Sequence, residues 1–219
     1  MHETSRDDIH TAGTADLEPR RVPSQDRSRK RVDAILDALA ELLIERGFDA
    51  INTHHVAERA NVPVGTLYQF FPNKYALVSA LSRRYIERYG NILQESLSFD
   101  EAELKDEHIL DRYTEAVANV MFQDKALAVL WAVMLATPEL RPIQVAGLKM
   151  GHGLLMSLLK SRLSHLDEPT LETIATTIYR ASYAMLYTAC QNPDEDKDAA
   201  LEELKRLQNA YLKSYLTSD

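Results

Sequence analysis

The strongest constraint in this 219-residue sequence lies between Phe48 and Leu81, where helix-stopping and helix-capping residues chop the chain at short, fixed intervals. Asn52 offers a side-chain oxygen to cap a helix, Asn61-Val62-Pro63 interrupts it, Pro72 ends the next one, and Asn73 can cap a third. Between these marks there is room only for helices of about two turns: Thr53 to Ala60, then Val64 to Phe71. Two short helices separated by a turn of a few residues form a helix-turn-helix. A longer helix over about 26–46 precedes them, because Ile35, Leu39, Leu42 and Leu43 recur on one face and Gly47 stops it. After Asn73, the face of Leu77, Leu81, Tyr85, Tyr89 and Leu93 predicts a helix over 73–97, long enough to connect two domains.

Beyond Leu97 the pattern stays helical over about 107–122, 124–136, 142–165, 170–190 and 196–216, with turn residues at Thr137-Pro138, Arg141-Pro142, Asp167-Glu168-Pro169 and Asn192-Pro193-Asp194. The expected fold class is therefore all-α, with about nine helices: an N-terminal three-helix unit over 24–72 and a larger helical C-terminal domain over 73–219. Residues 1–23 are polar and without periodicity, and are expected to lack defined structure.

Charge is distributed unevenly. The net charge of −8 is the balance of −4 over 1–19, +4 over 20–84 and −8 over 85–219. A basic segment thus coincides with the helix-turn-helix, and a local patch, rather than the overall balance, decides whether phosphates can be held. The lone cysteine, Cys190, rules out an intramolecular disulfide or a cysteine-based metal site, and fits a reducing cytoplasm. No apolar run reaches the roughly 18 residues of a membrane span.

The block FDAINTHHVAERANVPVGTLYQFFPNKYALVSAL resembles the DNA-binding domain of the tetracycline-repressor-like (TetR) family through Thr53, Val56-Ala57, Ala60, Val62, Gly65-Thr66-Leu67-Tyr68, Phe71, Asn73-Lys74 and Leu77. The resemblance covers roughly residues 27–85. It implies that the equivalents of Tyr68 and Lys74 contact phosphate, and that His54 occupies a position from which some relatives reach a base. Two departures stand out: Asn52-Thr53 replaces a pair of threonines, and Pro63-Val64 replaces a serine that opens the third helix.

Physical reasoning on the same residues agrees. A recognition helix meets base edges with its N-terminal side chains. Gly65 permits close approach, Val64 and the Thr66 methyl suit thymine methyls, and Gln69 lies one turn on. The expected DNA-contacting set is Arg29, Lys30, Thr53, His54, Val64, Gly65, Thr66, Tyr68, Gln69 and Lys74, the basic run Arg27–Arg31 serving either as phosphate ligands or as a solubilising face. Leu67, Phe70 and Phe71 are read as core, because a three-helix unit needs them to fix its last helix. His54 and His55 are adjacent and point about 100° apart on a helix, which suits no shared metal.

In the C-terminal half, Met121, Trp131, Met134, Met150, His152, Tyr179 and Tyr183 fit the wall of a pocket for a small, largely apolar effector, or equally a plain core. His152 sits between Gly151 and Gly153, a poor helical context that marks close packing or a cavity. Ile174, Ile178, Met185, Leu204, Leu207 and Tyr211 lie on spaced faces of the last two helices; the family resemblance implies a homodimer interface there, and an intramolecular bundle is the alternative. The expected partners are double-stranded DNA carrying a palindromic operator, an effector and a second copy of the chain, with no cofactor, metal or membrane. An enzymatic bundle is disfavoured: none of the histidines has a glutamate three positions before it, as di-iron bundles require.

Overall fold

A computed structural model describes residues 16–21, 25–96 and 108–216. Among these, nine α-helices account for nearly all regular structure: α1 (Asp26–Arg46), α2 (Thr53–Arg59), α3 (Val64–Phe70), α4 (Lys74–Ser96), α5 (Ile109–Gln123), α6 (Lys125–Ala136), α7 (Arg141–Arg162), α8 (Glu168–Gln191) and α9 (Lys197–Leu216), with a 3₁₀ turn at Pro138–Leu140. The all-α expectation holds.

The boundaries follow the capping chemistry. Asn52 accepts a hydrogen bond from the His55 amide (2.9 Å), Asn73 from the Ala76 amide (2.8 Å), and Asp124 from the Ala126 and Leu127 amides (2.9 and 3.3 Å). Asn61 takes φ +52°, the left-handed conformation that asparagine tolerates better than most residues, and so turns the chain from α2 to α3. Helices α7 and α8 begin slightly earlier than the proline positions suggest. Pro142 and Pro169 sit in their first turns, where the missing N–H is not needed; Pro142 was expected there, whereas Pro169 lies inside the helix start instead of before it.

The expectation of a structureless start does not hold for residues 16–21. The Arg20 amide donates to Phe70 O (2.8 Å) and its guanidinium to Tyr68 O (3.3 Å), which places this segment on the orphan carbonyls at the C-terminal end of α3. The Asn73 side chain donates to Asp16 O (3.0 Å), Glu18 pairs with Arg83 on α4, and Leu17 packs on the core. Periodicity could not show this, because the segment borrows its partners from α3 and α4 instead of forming an element of its own.

Two hydrophobic clusters organise the molecule. The first runs from α1–α4 into α5 and α6, and reaches Leu186 on α8 and Leu204 on α9. The second joins α5, α7, α8 and the end of α9. The N-terminal unit is therefore not an isolated bead: α6 packs directly on α1, and Val120, Met121, Leu127 and Leu130 share one core with Leu39, Leu43 and Leu77. Leu67, Phe70 and Phe71 are buried as expected, at 0, 5 and 1% exposure. Polar ties reinforce the head, with Arg59 of α2 bridging Glu41 and Glu45 of α1 (3.1 and 2.7 Å) and Arg84 of α4 reaching Asp37 (2.8 Å). No single described helix is long and apolar enough to cross a membrane.

A candidate nucleic-acid interface and the cavity behind it

The helix-turn-helix presents a graded surface. His54, Gly65, Tyr68 and Gln69 are exposed, Val64, Thr66 and Lys74 are half-buried, and Thr53 is buried. Thr53 Oγ1 and Tyr68 Oη hydrogen-bond to each other at 2.8 Å, joining α2 to the recognition helix α3. Thr53 thus holds the Tyr68 phenol in place. Lys74 lies at the start of α4, with its ammonium 4.1 Å from the Phe48 ring centroid, a cation–π contact that orients the charge. Arg29 and Lys30 are exposed on α1, and Arg29 has a loose partner in Asp26 (3.7 Å).

Gly65 is the most informative position. A Cβ built there meets nothing within 4 Å, so no neighbouring protein atom demands a glycine. Glycine inside a helix is destabilising by roughly 0.5–1 kcal/mol relative to alanine. Internal packing therefore does not account for it.

Behind this head lies a cavity of about 100 Å³. Helix α4 forms one wall with Tyr85, Ile86, Tyr89 and Leu93, and α5, α6, α7 and α8 close the rest. Five of the expected pocket residues line it: Met121, Trp131, Met134, Tyr179 and Tyr183. Trp131 and Tyr183 pack at 5.4 Å between ring centroids, and Tyr183 stacks on Tyr187 at 5.7 Å and 7°. His152 is not on the wall; it is turned toward Thr176, whose Oγ1 lies 3.4 Å from Nε2. The Met150 side chain lies outside the described residues.

The α4 wall and Gly147 of α7 were not identified from sequence. Gly147 and Gly151, one turn apart on α7, both line the cavity. A Cβ at Gly147 would stand 3.2 Å from Trp131 and Ile86, and one at Gly151 would stand 2.9 Å from the Tyr179 ring. The i, i+4 spacing of these glycines was the available signal, since it places two missing side chains on one helix face. The close packing expected at this stretch is therefore found at Gly151, against the Tyr179 ring.

The residues expected at a dimer interface separate into two groups. Ile174 (0% exposed), Ile178 (1%) and Leu204 (0%) are buried within the protomer and cannot contact a second copy from these positions. An apolar face has one period whether it meets its own chain or another, so spacing alone could not tell the two apart. Leu207 is exposed (49%), and Met185 and Tyr211 are half-buried.

A recognition-helix surface with a small cavity sharing its exit helix fits a DNA-binding regulator. Comparison with known proteins places it more closely. Residues 35–81 match the profile of "Bacterial regulatory proteins, tetR family", and residues 107–212 that of the "Tetracyclin repressor-like, C-terminal domain". The chain belongs to the TetR family of transcriptional regulators. It is 46% identical over 63 residues to the HTH-type transcriptional repressor KstR of Rhodococcus jostii, an alignment covering 28% of this chain and 30% of that repressor. A TetR-family regulator from Streptomyces coelicolor shares the fold at a TM-score of 0.55 and 29% identity, over 85% of this chain and 99% of its own. The fatty acid degradation regulator FadR from Bacillus halodurans aligns at a TM-score of 0.70 and 21% identity, over 84 and 96% of the two chains, which is a likeness of fold.

Proposed function

We propose that the protein is a homodimeric repressor that leaves a palindromic operator when a small, largely apolar effector enters the cavity. The observation that carries this reading is the double use of α4. It begins at Lys74, four residues after the recognition helix ends, and its Ser82, Tyr85, Ile86, Tyr89 and Leu93 form a wall of the cavity. A ligand that displaces this wall moves the helix on which the DNA-reading unit exits.

Two heads on a palindrome double the bases read, and half-sites are spaced by whole helical turns, so a change of a few ångströms in head separation disfavours simultaneous docking. The effector acts by binding the DNA-incompetent state more tightly, and by linkage DNA weakens effector binding by the same factor. In DNA reading, His54, Val64, Gly65, Thr66 and Gln69 take the base edges, while Tyr68, Lys74, Arg29 and Lys30 take phosphates and Thr53 positions Tyr68. The accessible side chains of Met185, Leu207 and Tyr211 remain candidates for the dimer contact.

The test is selection of bound sequences from random duplex DNA by the full chain at two salt concentrations. An enriched palindrome with steep salt dependence is expected, with Lys74→Ala reducing the salt slope by about 1. A selected site without two-fold symmetry, or effector affinity that is identical with and without operator, overturns the reading.

A further inference from the structure

The wall chemistry of the cavity restricts what it can hold. Among the described residues, no Lys, Arg, His, Asp or Glu lines it. Four of the eight side-chain polar groups on its wall already have partners. Ser82 Oγ donates to Val78 O (2.7 Å), Ser182 Oγ donates to Ile178 O (2.8 Å) and accepts from Gln208 Nε2 (2.7 Å), Tyr113 Oη donates to Gly151 O (3.3 Å), and Tyr89 Oη donates to the Asp124 carboxylate.

Of the other four, Tyr85, Trp131, Tyr179 and Tyr183, it is Tyr183 whose polar atom is fully buried. Its hydroxyl is buried and no protein group lies within hydrogen-bonding reach, while its ring is held between Trp131 and Tyr187. A buried polar atom without a partner is uncommon in folded proteins and calls for an explanation. Burial also pushes the Tyr183 phenol well above its ordinary pKa of 10, so it remains a neutral donor throughout the neutral range.

Resting on the reading of this cavity as the effector site, we propose that it selects small uncharged alicyclic or aromatic molecules bearing a single carbonyl or hydroxyl group, which hydrogen-bonds Tyr183 Oη. Carboxylates and phosphoesters are rejected, because a charge moved into an apolar wall loses its hydration and meets no opposite charge there. The rings of Trp131 and Tyr179 hold the apolar body, and the Tyr183 hydroxyl fixes its orientation.

Trp131 is the only tryptophan in the chain and lines the cavity, so its emission reports occupancy without any DNA present. The full-length protein is titrated with 4-methylcyclohexanone, methylcyclohexane and cyclohexanecarboxylate at pH 7. Saturable change is expected with the ketone, and about 100-fold weaker binding with the carboxylate. Tyr183→Phe, which keeps the ring contacts, should weaken the ketone by about tenfold and leave methylcyclohexane unchanged. Equal or tighter binding of the carboxylate, an unaltered ketone affinity in Tyr183→Phe, or no saturable response to any probe would overturn the proposal.

An operator-release assay run beside the titration separates the two ideas. Ketone binding without loss of operator affinity defeats ligand-driven release and leaves the selectivity standing. Release by the carboxylate but not the ketone defeats the selectivity and leaves ligand-driven release standing.

Discussion

The head formed by α1–α3 and the body formed by α5–α9 store their functions differently. In the head, the proposed contacts other than Arg29 and Lys30 fall within the short stretch from His54 to Lys74 and are exposed or half-buried, supported by a few large buried side chains such as Leu67 and Phe71. In the body, the cavity is assembled from residues scattered between Tyr113 and Tyr183, its wall completed by α4, and its framework includes a buried polar bridge. Gln208, fully buried on α9, accepts from Thr114 Oγ1 of α5 (2.6 Å) and donates to Ser182 Oγ on the cavity wall (2.7 Å). A surface that reads DNA can be written in a local motif, whereas a cavity exists only after distant helices have met.

The head depends on few supporting side chains. Leu67→Ala removes a fully buried side chain under the recognition helix and is expected to cost about 2–5 kcal/mol, measured by urea unfolding of the full chain. A loss below about 1 kcal/mol would mean that the head does not depend on this small set of anchors.

In the body, the corresponding lever is the polar bridge. Gln208→Leu keeps volume but withdraws a donor from Ser182 and an acceptor from Thr114, and is expected to cost about 1–3 kcal/mol in thermal stability while leaving DNA affinity near its starting value. The cost is limited because the Ser182 hydroxyl still donates to Ile178 O, and the single Thr114 hydroxyl proton, released from Gln208, can turn to Leu110 O 2.8 Å away. An unchanged melting temperature would show that apolar packing alone holds α5, α8 and α9 together.

The two regions were also unequally legible in the sequence. The bounds of α1–α3 lay within a residue of the capping and proline positions, because Asn52, Pro63 and Pro72 act locally and meet no competing tertiary demand. Met121, Trp131, Met134, Tyr179 and Tyr183 could be picked out as soft and aromatic, but their meeting at one cavity could not, and the same reasoning wrongly assigned His152. Ile174, Ile178 and Leu204 show the limit most clearly: periodicity marks a face as apolar without naming the neighbour that covers it. Residues 16–21 were missed for a related reason, since their bonds run to Tyr68, Phe70, Asn73 and Arg83, some fifty or more positions away.

Gly65 offers a smaller but sharper test, because stability and function should move in opposite directions. With open space around its Cβ position, Gly65→Ala is expected to raise stability by up to about 1 kcal/mol through helix propensity. The same methyl group would stand between the recognition helix and the base edges, so operator affinity should fall by about tenfold, roughly 1.4 kcal/mol of binding free energy. Gain of stability with unchanged affinity would remove Gly65 from the DNA surface.

The smallest expected effect concerns the segment that ties the chain's start to the head. The Arg83 guanidinium beside Glu18 holds that carboxyl below its ordinary value of 4.5, so the ion pair favours the docked segment above that pH and stops doing so as pH falls through the lowered value. Glu18 is largely exposed, and a surface pair of this kind contributes no more than about 1 kcal/mol, less at high salt. The Arg20 amide, bonded to Phe70 O, is the reporter: its hydrogen-exchange protection factor should fall modestly between pH 5 and the acid side of the glutamate range, and Glu18→Gln should abolish that pH dependence. If protection in Glu18→Gln still falls with pH as in the unaltered chain, the segment is held by its backbone bonds and Leu17 rather than by charge. The C-terminal end of the recognition helix would then be capped independently of pH.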